Sequence, residues 1–178
     1  MNKLALVVIL CTAFSAFAQQ PDKAPATMKS LLLQQLHETH NQKNWFVSAK
    51  EATAGETAEQ STWTDGKGNH SVGQLIYHLA FWNGEVVAQL KDPTFKGFNG
   101  NNDDTFNKYE AKNWDSTVKK FDDDMTQLEK IVESADDAKI AKIAPVITRV
   151  CAHNAYHIGE IVMVRKEQGT WNPENGVK

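Results

Sequence analysis

Cysteine is almost missing from this chain. There are two in 178 residues, Cys11 and Cys151. Cys11 lies in a stretch that reads as a removable secretory signal: Lys3 gives a short basic start, Leu4 to Ala18 is apolar and small, and Ala16-Phe17-Ala18 fits an A-x-A cleavage site. Cleavage between Ala18 and Gln19 is expected. Bulky Leu10 before Cys11 argues against a lipid-anchored start. The mature chain then keeps one thiol, which excludes an intrachain disulfide even in an oxidising compartment. Stability has to come from a packed core.

Long apolar runs are also lacking. The leader stops short of the roughly 20 residues that a membrane span needs, so no stable membrane anchor is expected after cleavage. Basic charge is scarce. The full chain has 19 Lys and Arg against 22 Asp and Glu, a formal charge of −3. Losing residues 1–18 removes one lysine and no acid, leaving 18 against 22 and a charge of −4. A nucleic-acid binder usually shows a basic face, so that class is set aside. Alternating period-2 strands and internal repeats do not occur. The Asn- and Asp-rich run Gly97 to Asp104 lacks the ligand alternation and closing glutamate of a calcium loop. It reads as a flexible loop.

What remains is helical. The first helix is expected over about Thr27 to Thr53, with Met28, Leu32, Leu36 and Trp45-Phe46 supplying its apolar side. His37 and His40 lie on it among polar neighbours and read as ordinary, partly exposed histidines. A long polar connection follows, Gly55 to His70, in which Trp63 has the look of a lid and His70 of a capping or surface residue. Ser71 caps the second helix, whose apolar face runs Val72, Leu75, Ile76, Leu79, Trp82, Val86, Leu90 until Asp92-Pro93 ends it. His78 lies beside that face, with Glu85 two turns on. After a second long connection, Trp114, Val118, Phe121, Met125, Leu128 and Val132 define the third helix. Its Lys119-Lys120 and Asp122-Asp123-Asp124 read as a solvated face. The fourth helix is expected from about Pro145 to Gly169.

That last helix carries the chemistry. His153 and His157 are one turn apart, so their side chains share a face with Cβ atoms about 5–6 Å apart. Two imidazoles so placed can close on one divalent ion. Glu160 and Val164 continue the same face. Cys151 sits near 200° around the helix from His153, at about 100° per residue, and reads as a small core residue. Gly159 in a helix interior costs about 1 kcal/mol against alanine; it marks either a close helix contact or an untuned position.

The second-helix run Ser71-Val-Gly-Gln-Leu-Ile-Tyr-His78-Leu-Ala-Phe-Trp82-Asn83 and the fourth-helix run His153-x-x-x-His157-x-Gly159-Glu160-Ile161 resemble the DinB/YfiT-like superfamily of metalloenzymes. The likeness covers nearly all of residues 27–171, including the terminal Arg165-Lys-x-x-Gly169-x-Trp171 run. It implies an all-α four-helix bundle with long connections after helices one and two. It also implies a divalent ion held by His78, His153 and His157, zinc or nickel ahead of iron or manganese. Three protein ligands leave coordination positions open, as catalytic sites do. The expected activity is therefore a metal-dependent reaction on a small molecule, of hydrolase or thiol-dependent transferase type. A non-catalytic metal- or ligand-binding stress protein is the alternative. Glu160 is the candidate base or orienter, and Glu85 shares that candidacy. A small-molecule substrate or thiol is the expected partner, and a homodimer is left open. The domain plan is a signal peptide over 1–18, a lead-in over 19–26, the bundle over 27–171 and a tail over 172–178. The expected location is outside the cytoplasm, in the periplasm.

Overall fold

Helix starts in this chain are set by side-chain caps. In the computed structural model, which describes residues 25–176, Thr27, Ser48, Ser71 and Asp136 each turn a side-chain oxygen to a backbone N–H of the first helical turn. The first three complete a reciprocal box with Ser30, Glu51 and Gln74. The helices that follow are α1 (Met28–His40), α2 (Ala49–Thr53), α3 (Val72–Lys91), α4 (Asp104–Asn107), α5 (Trp114–Ser134) and α6 (Asp137–Gln168). No strand occurs among the described residues. The proposed signal peptide lies outside them, as do most of the lead-in and the last two residues of the tail. Among the described residues no helix is long and apolar enough to cross a membrane.

The four long helices form the bundle. α3 packs on α5 and α6, and α1 packs on the same two. Their shared core includes Leu36 from α1, Leu75, Ile76 and Leu79 from α3, Met125 and Leu128 from α5, and Ile147, Ile158 and Ile161 from α6. Side chains this size each contribute about 1.5–3 kcal/mol when fully buried.

Two helix boundaries differ from expectation. The first helix does not run on to Thr53. It stops at His40, where the N–H groups of Asn41 and Gln42 both return to the His37 carbonyl. The chain restarts at the Ser48–Glu51 box, leaving Trp45 94% exposed in the gap. An available second cap outcompetes continuation, because it satisfies first-turn N–H groups that would otherwise need a continuous helix. α6 starts eight residues before Pro145. The cap at Asp136 sets its start, and Pro145 is tolerated inside. Proline removes one bond to the carbonyl four residues back. That residue, Ala141, is exposed, so water can serve the freed carbonyl.

Arg165 fixes the end of α6. Its buried guanidinium donates to the Ala52 and Ala54 carbonyls at 2.8 and 3.0 Å and meets the buried Glu56 carboxylate at 3.0 Å. It thus closes the C-terminal end of α2 onto α6. The connection after α4 is fixed by Tyr109, which lies across Gly73 so closely that a Cβ there would fall 2.1 Å from its ring. Only glycine at 73 leaves room for it. The Tyr109 hydroxyl meets Ser61 at 2.5 Å, and Trp63 packs against the core edge as expected of a lid.

Candidate metal centre

α3 and α6 bring His78, His153 and His157 together, one ligand atom from each lying within 4.8 Å of the others. The fit is closer than that figure suggests. His153 Nε2 is 3.1 Å from His78 Nε2 and 3.1 Å from His157 Nε2. Two bonds of about 2.0–2.1 Å to a common ion separate their nitrogens by about 2.9 Å at a right angle and about 3.3 Å at a tetrahedral one. The observed spacing falls between.

Proton accounting sharpens the fit. Thr105 Oγ1 is 2.6 Å from the Asn102 carbonyl and 2.6 Å from His78 Nδ1. A hydroxyl has one proton and a carbonyl can only accept. Thr105 therefore donates to Asn102 and accepts from His78 Nδ1–H, which places the His78 lone pair on Nε2. Glu160 Oε2 accepts from His157 Nδ1–H at 2.5 Å, with the same result for His157. His153 can offer at most one Nε2 proton to these two lone pairs. Three imidazoles meeting through Nε2, two with Nδ1–H already engaged, form a donor set that suits a cation. Such outer hydrogen bonds are how metal-binding histidines are usually oriented.

Burial keeps two of the rings, His78 and His153, neutral. His78 is pushed down to about 3, first by burial and then by neighbouring His157, His153 and His70. His153 is pushed down to about 4, by burial and His157, with Glu160 opposing. A neutral imidazole is the form that binds metal.

Phe106 locks the His78 plane. Its ring stacks on His78 at 3.9 Å and 9°, and His70 stacks on its other face at 3.9 Å and 2°. His70 is therefore the outer layer of a three-ring stack, where a surface or capping residue was expected. Neither Thr105 nor Phe106 was foreseen, because the run containing them read as loop. The turn of α4 carries both. The signal was the acidic Asp103-Asp104 immediately before Thr105-Phe106, a composition that favours a helix start.

The triad lies in the wall of a 690 Å³ cleft that Trp82, Val86, Asn102, Val146 and Arg149 help to line. Trp82 Nε1–H donates to the Asn102 side chain at 3.2 Å, joining α3 to the α4 connection. Glu160 leans on His157 Nδ1 at 2.5 Å. Glu85 does not join the triad. It accepts from the Phe98 backbone N–H at 2.6 Å and so anchors the long connection. Cys151 is buried, its thiol pushed up to about 12 by desolvation, in keeping with a core role. Gly159 has no close helix against it, since a Cβ there would meet nothing within 4 Å.

His40 is not partly exposed. It is buried at the end of α1, with Nδ1 2.8 Å from Glu129 and Nε2 2.8 Å from Asp122, both on α5. Burial works against its charge, but the two carboxylates outweigh that and raise its pKa. Asp122 reaches His40 from the solvated face expected of it, where it stays largely exposed. Asp124 does leave that face: it is buried and pairs with Lys120 at 2.6 Å. His37 belongs to neither histidine cluster.

The class that fold and site define is an all-helical bundle in which three imidazoles from its second and last long helices converge and could hold a metal ion. The family model for the DinB superfamily matches residues 16–161, and the chain belongs to that superfamily. Comparison with curated proteins and with solved structures finds no match.

Proposed function

We propose that this protein is a divalent-metal-dependent enzyme acting on a small molecule, with His78, His153 and His157 as the metal ligands. One observation carries the reading: three Nε2 atoms converge at the wall of an open cleft, with the Nδ1 protons of two rings already engaged. A divalent ion held there would supply Lewis acidity, at a position the protein leaves to solvent, thiol or substrate oxygen. The residues do the rest. Thr105 and Glu160 hold the tautomers of His78 and His157. Phe106 and His70 cover one side of His78 and keep water from it. The cleft admits the substrate. Glu160, partly exposed and hydrogen-bonded to a ligand, is placed to orient His157 and to exchange a proton with the cleft.

The reaction type is hydrolysis or transfer to a thiol. Any reacting thiol has to come from outside the chain, because Cys151 is buried and held in its protonated form. The leader sequence points to work outside the cytoplasm. Recovery of a mature chain starting at Gln19 from the periplasmic fraction would test that.

The decisive experiment is elemental analysis of the purified mature protein, followed by turnover screens with ester, amide and thiol-acceptor substrates. One equivalent of zinc or nickel and metal-dependent turnover are expected. A protein that neither retains nor takes up a stoichiometric ion would refute the reading. Stoichiometric metal with no turnover across the screens would favour the non-catalytic binder.

A further inference from the structure

The cleft beside the triad is built mostly of neutral groups: Trp82, Val86, Phe106, Val146 and Val150 give it apolar walls. Apart from the histidines, one ionisable side chain lines it, Arg149. Arg149 stands four residues before His153 and eight before His157, on the same face of α6. At 1.5 Å per residue its Cα is about 6 Å along the axis from that of His153. It is exposed, and no carboxylate pairs with it among the described residues. The other arginine of the described α6, Arg165, shows what this chain does with a guanidinium needed for structure: it is buried, paired with Glu56 and bonded to two carbonyls. Arg149 has none of this.

A second group in the same cleft also wants a partner. Asn83 is 1% exposed, and its amide N–H donates to Met125 Sδ at 3.4 Å. Its carbonyl Oδ1 has no hydrogen-bond partner among the described residues. A buried acceptor left unpaired costs about 1–3 kcal/mol, which a ligand's O–H or N–H, or a water, would recover.

We propose that Arg149 is the specificity-determining residue of the cleft, and that it selects small molecules bearing a carboxylate alongside the group that reaches the metal position. The planar guanidinium fork matches an oxyanion in two parallel hydrogen bonds. A single cation in the lining balances a single charge, which favours a carboxylate over a phosphate dianion. Asn83 accepts from a donor on the same ligand. This inference rests on the metal-site reading above and names its substrate class.

The test compares 3-mercaptopropionate with 2-mercaptoethanol, which share a thiol and differ by the carboxylate. Each is titrated into cobalt-substituted wild type and R149Q, followed by the visible spectrum. Wild type should prefer the carboxylate thiol by about tenfold, the scale of a charge-assisted pair. R149Q should lose that preference while binding 2-mercaptoethanol within about twofold of wild type. Equal affinities in wild type would overturn the proposal. A preference that persists in R149Q would also overturn it, by placing the carboxylate on the metal.

A spectrum unmoved by either thiol would instead sink the open metal position. The carboxylate site would then be read in the metal-free protein, by tryptophan fluorescence with succinate. Saturable quenching lost in R149Q would support Arg149, and no quenching in wild type would overturn it.

Discussion

The two buried histidine clusters of this bundle use the same side chain in opposite ways. His40 has a carboxylate on each ring nitrogen, at 2.8 Å on both sides. It is itself the cation that its site requires, and its pKa is raised. In the triad, His78 and His157 have their acceptors on Nδ1, and all three histidines turn Nε2 toward one another. Burial holds His78 and His153 neutral, so this cluster offers lone pairs where His40 offers a charge. The difference lies in the partners, since both clusters are buried between bundle helices. It shows that a buried histidine announces a metal only when both nitrogens are considered. A carboxylate on each nitrogen fills the site, whereas one acceptor on Nδ1 prepares Nε2 to bind.

Removing a ligand should break the comparison most severely. His78→Ala, His153→Ala and His157→Ala should each lose most bound metal, because two imidazoles from this set do not complete a site. His40→Ala should keep full metal content. Elemental analysis of the four variants checks this. Full stoichiometry in His78→Ala would show that His78 is misassigned as third ligand, and metal loss in His40→Ala would show that the two clusters are not independent.

The His40 cluster should respond in stability. Deleting the ring leaves the part-buried Glu129 carboxylate without its cation, and breaking a fully buried pair costs about 3–5 kcal/mol. Asp122 is largely exposed, so its share is screened, and about 2–3 kcal/mol is expected for His40→Ala by denaturant unfolding. The sign with pH follows from the raised pKa. Above the unfolded value of 6.5, the native state holds a proton that the unfolded state has released. The stabilisation is therefore complete below about pH 6.5 and is lost as pH rises through the folded pKa. The gap between wild type and His40→Gln should narrow in that direction. A gap that widens with pH would mean His40 is neutral in the fold.

The sequence made one of these clusters legible and not the other. The i,i+4 pair His153 and His157 is local, so helix geometry alone brings it together. His78 sits beside an apolar stripe strong enough to fix the helix phase. The bundle itself follows from four such stripes. His40 has polar sequence neighbours, and nothing local shows that Asp122 and Glu129 reach it from another helix. Thr105 and Phe106 are 27 and 28 positions from His78, on a single helical turn inside a polar connection. Their roles depend on how that connection folds back, which Glu85, Trp82 and Tyr109 decide through tertiary contacts. Pro145 misled for the opposite reason. Proline is a strong local start signal, but a better cap lay at Asp136.

Weakening the Nδ1 acceptors should sharpen the contrast while leaving all three ligands in place. Glu160→Gln and Thr105→Val should each lower metal affinity by about 10–100-fold, the usual effect of losing such an outer partner. Competition against a chromophoric chelator measures it. Thr105→Val should act through His78 and Glu160→Gln through His157; because both rings meet at His153, the double variant should depart from the product of the two factors. An unchanged affinity in both would mean that the ring planes are held by Phe106 stacking and helix packing alone.

The smallest expected effect tests whether ligand geometry and helix stability can be separated. Gly159 lies between His157 and Glu160 but on the exposed side of α6, and an added Cβ would meet no atom within 4 Å. Its backbone is helical, so alanine needs no strained conformation. Gly159→Ala removes freedom from the unfolded chain and adds helix propensity, worth about 0.5–1 kcal/mol. For a chain of this size that raises Tm by about 1–4 °C. Metal affinity should stay within about twofold, because the substitution faces away from both ligand contacts. Tyr156 and Met163 flank the position and are also exposed, so an open face is the premise of this prediction. If Gly159→Ala instead lowers Tm, and the loss grows with protein concentration, that face is covered in solution by a second copy of the chain. Glycine would then be needed for the close approach of another helix.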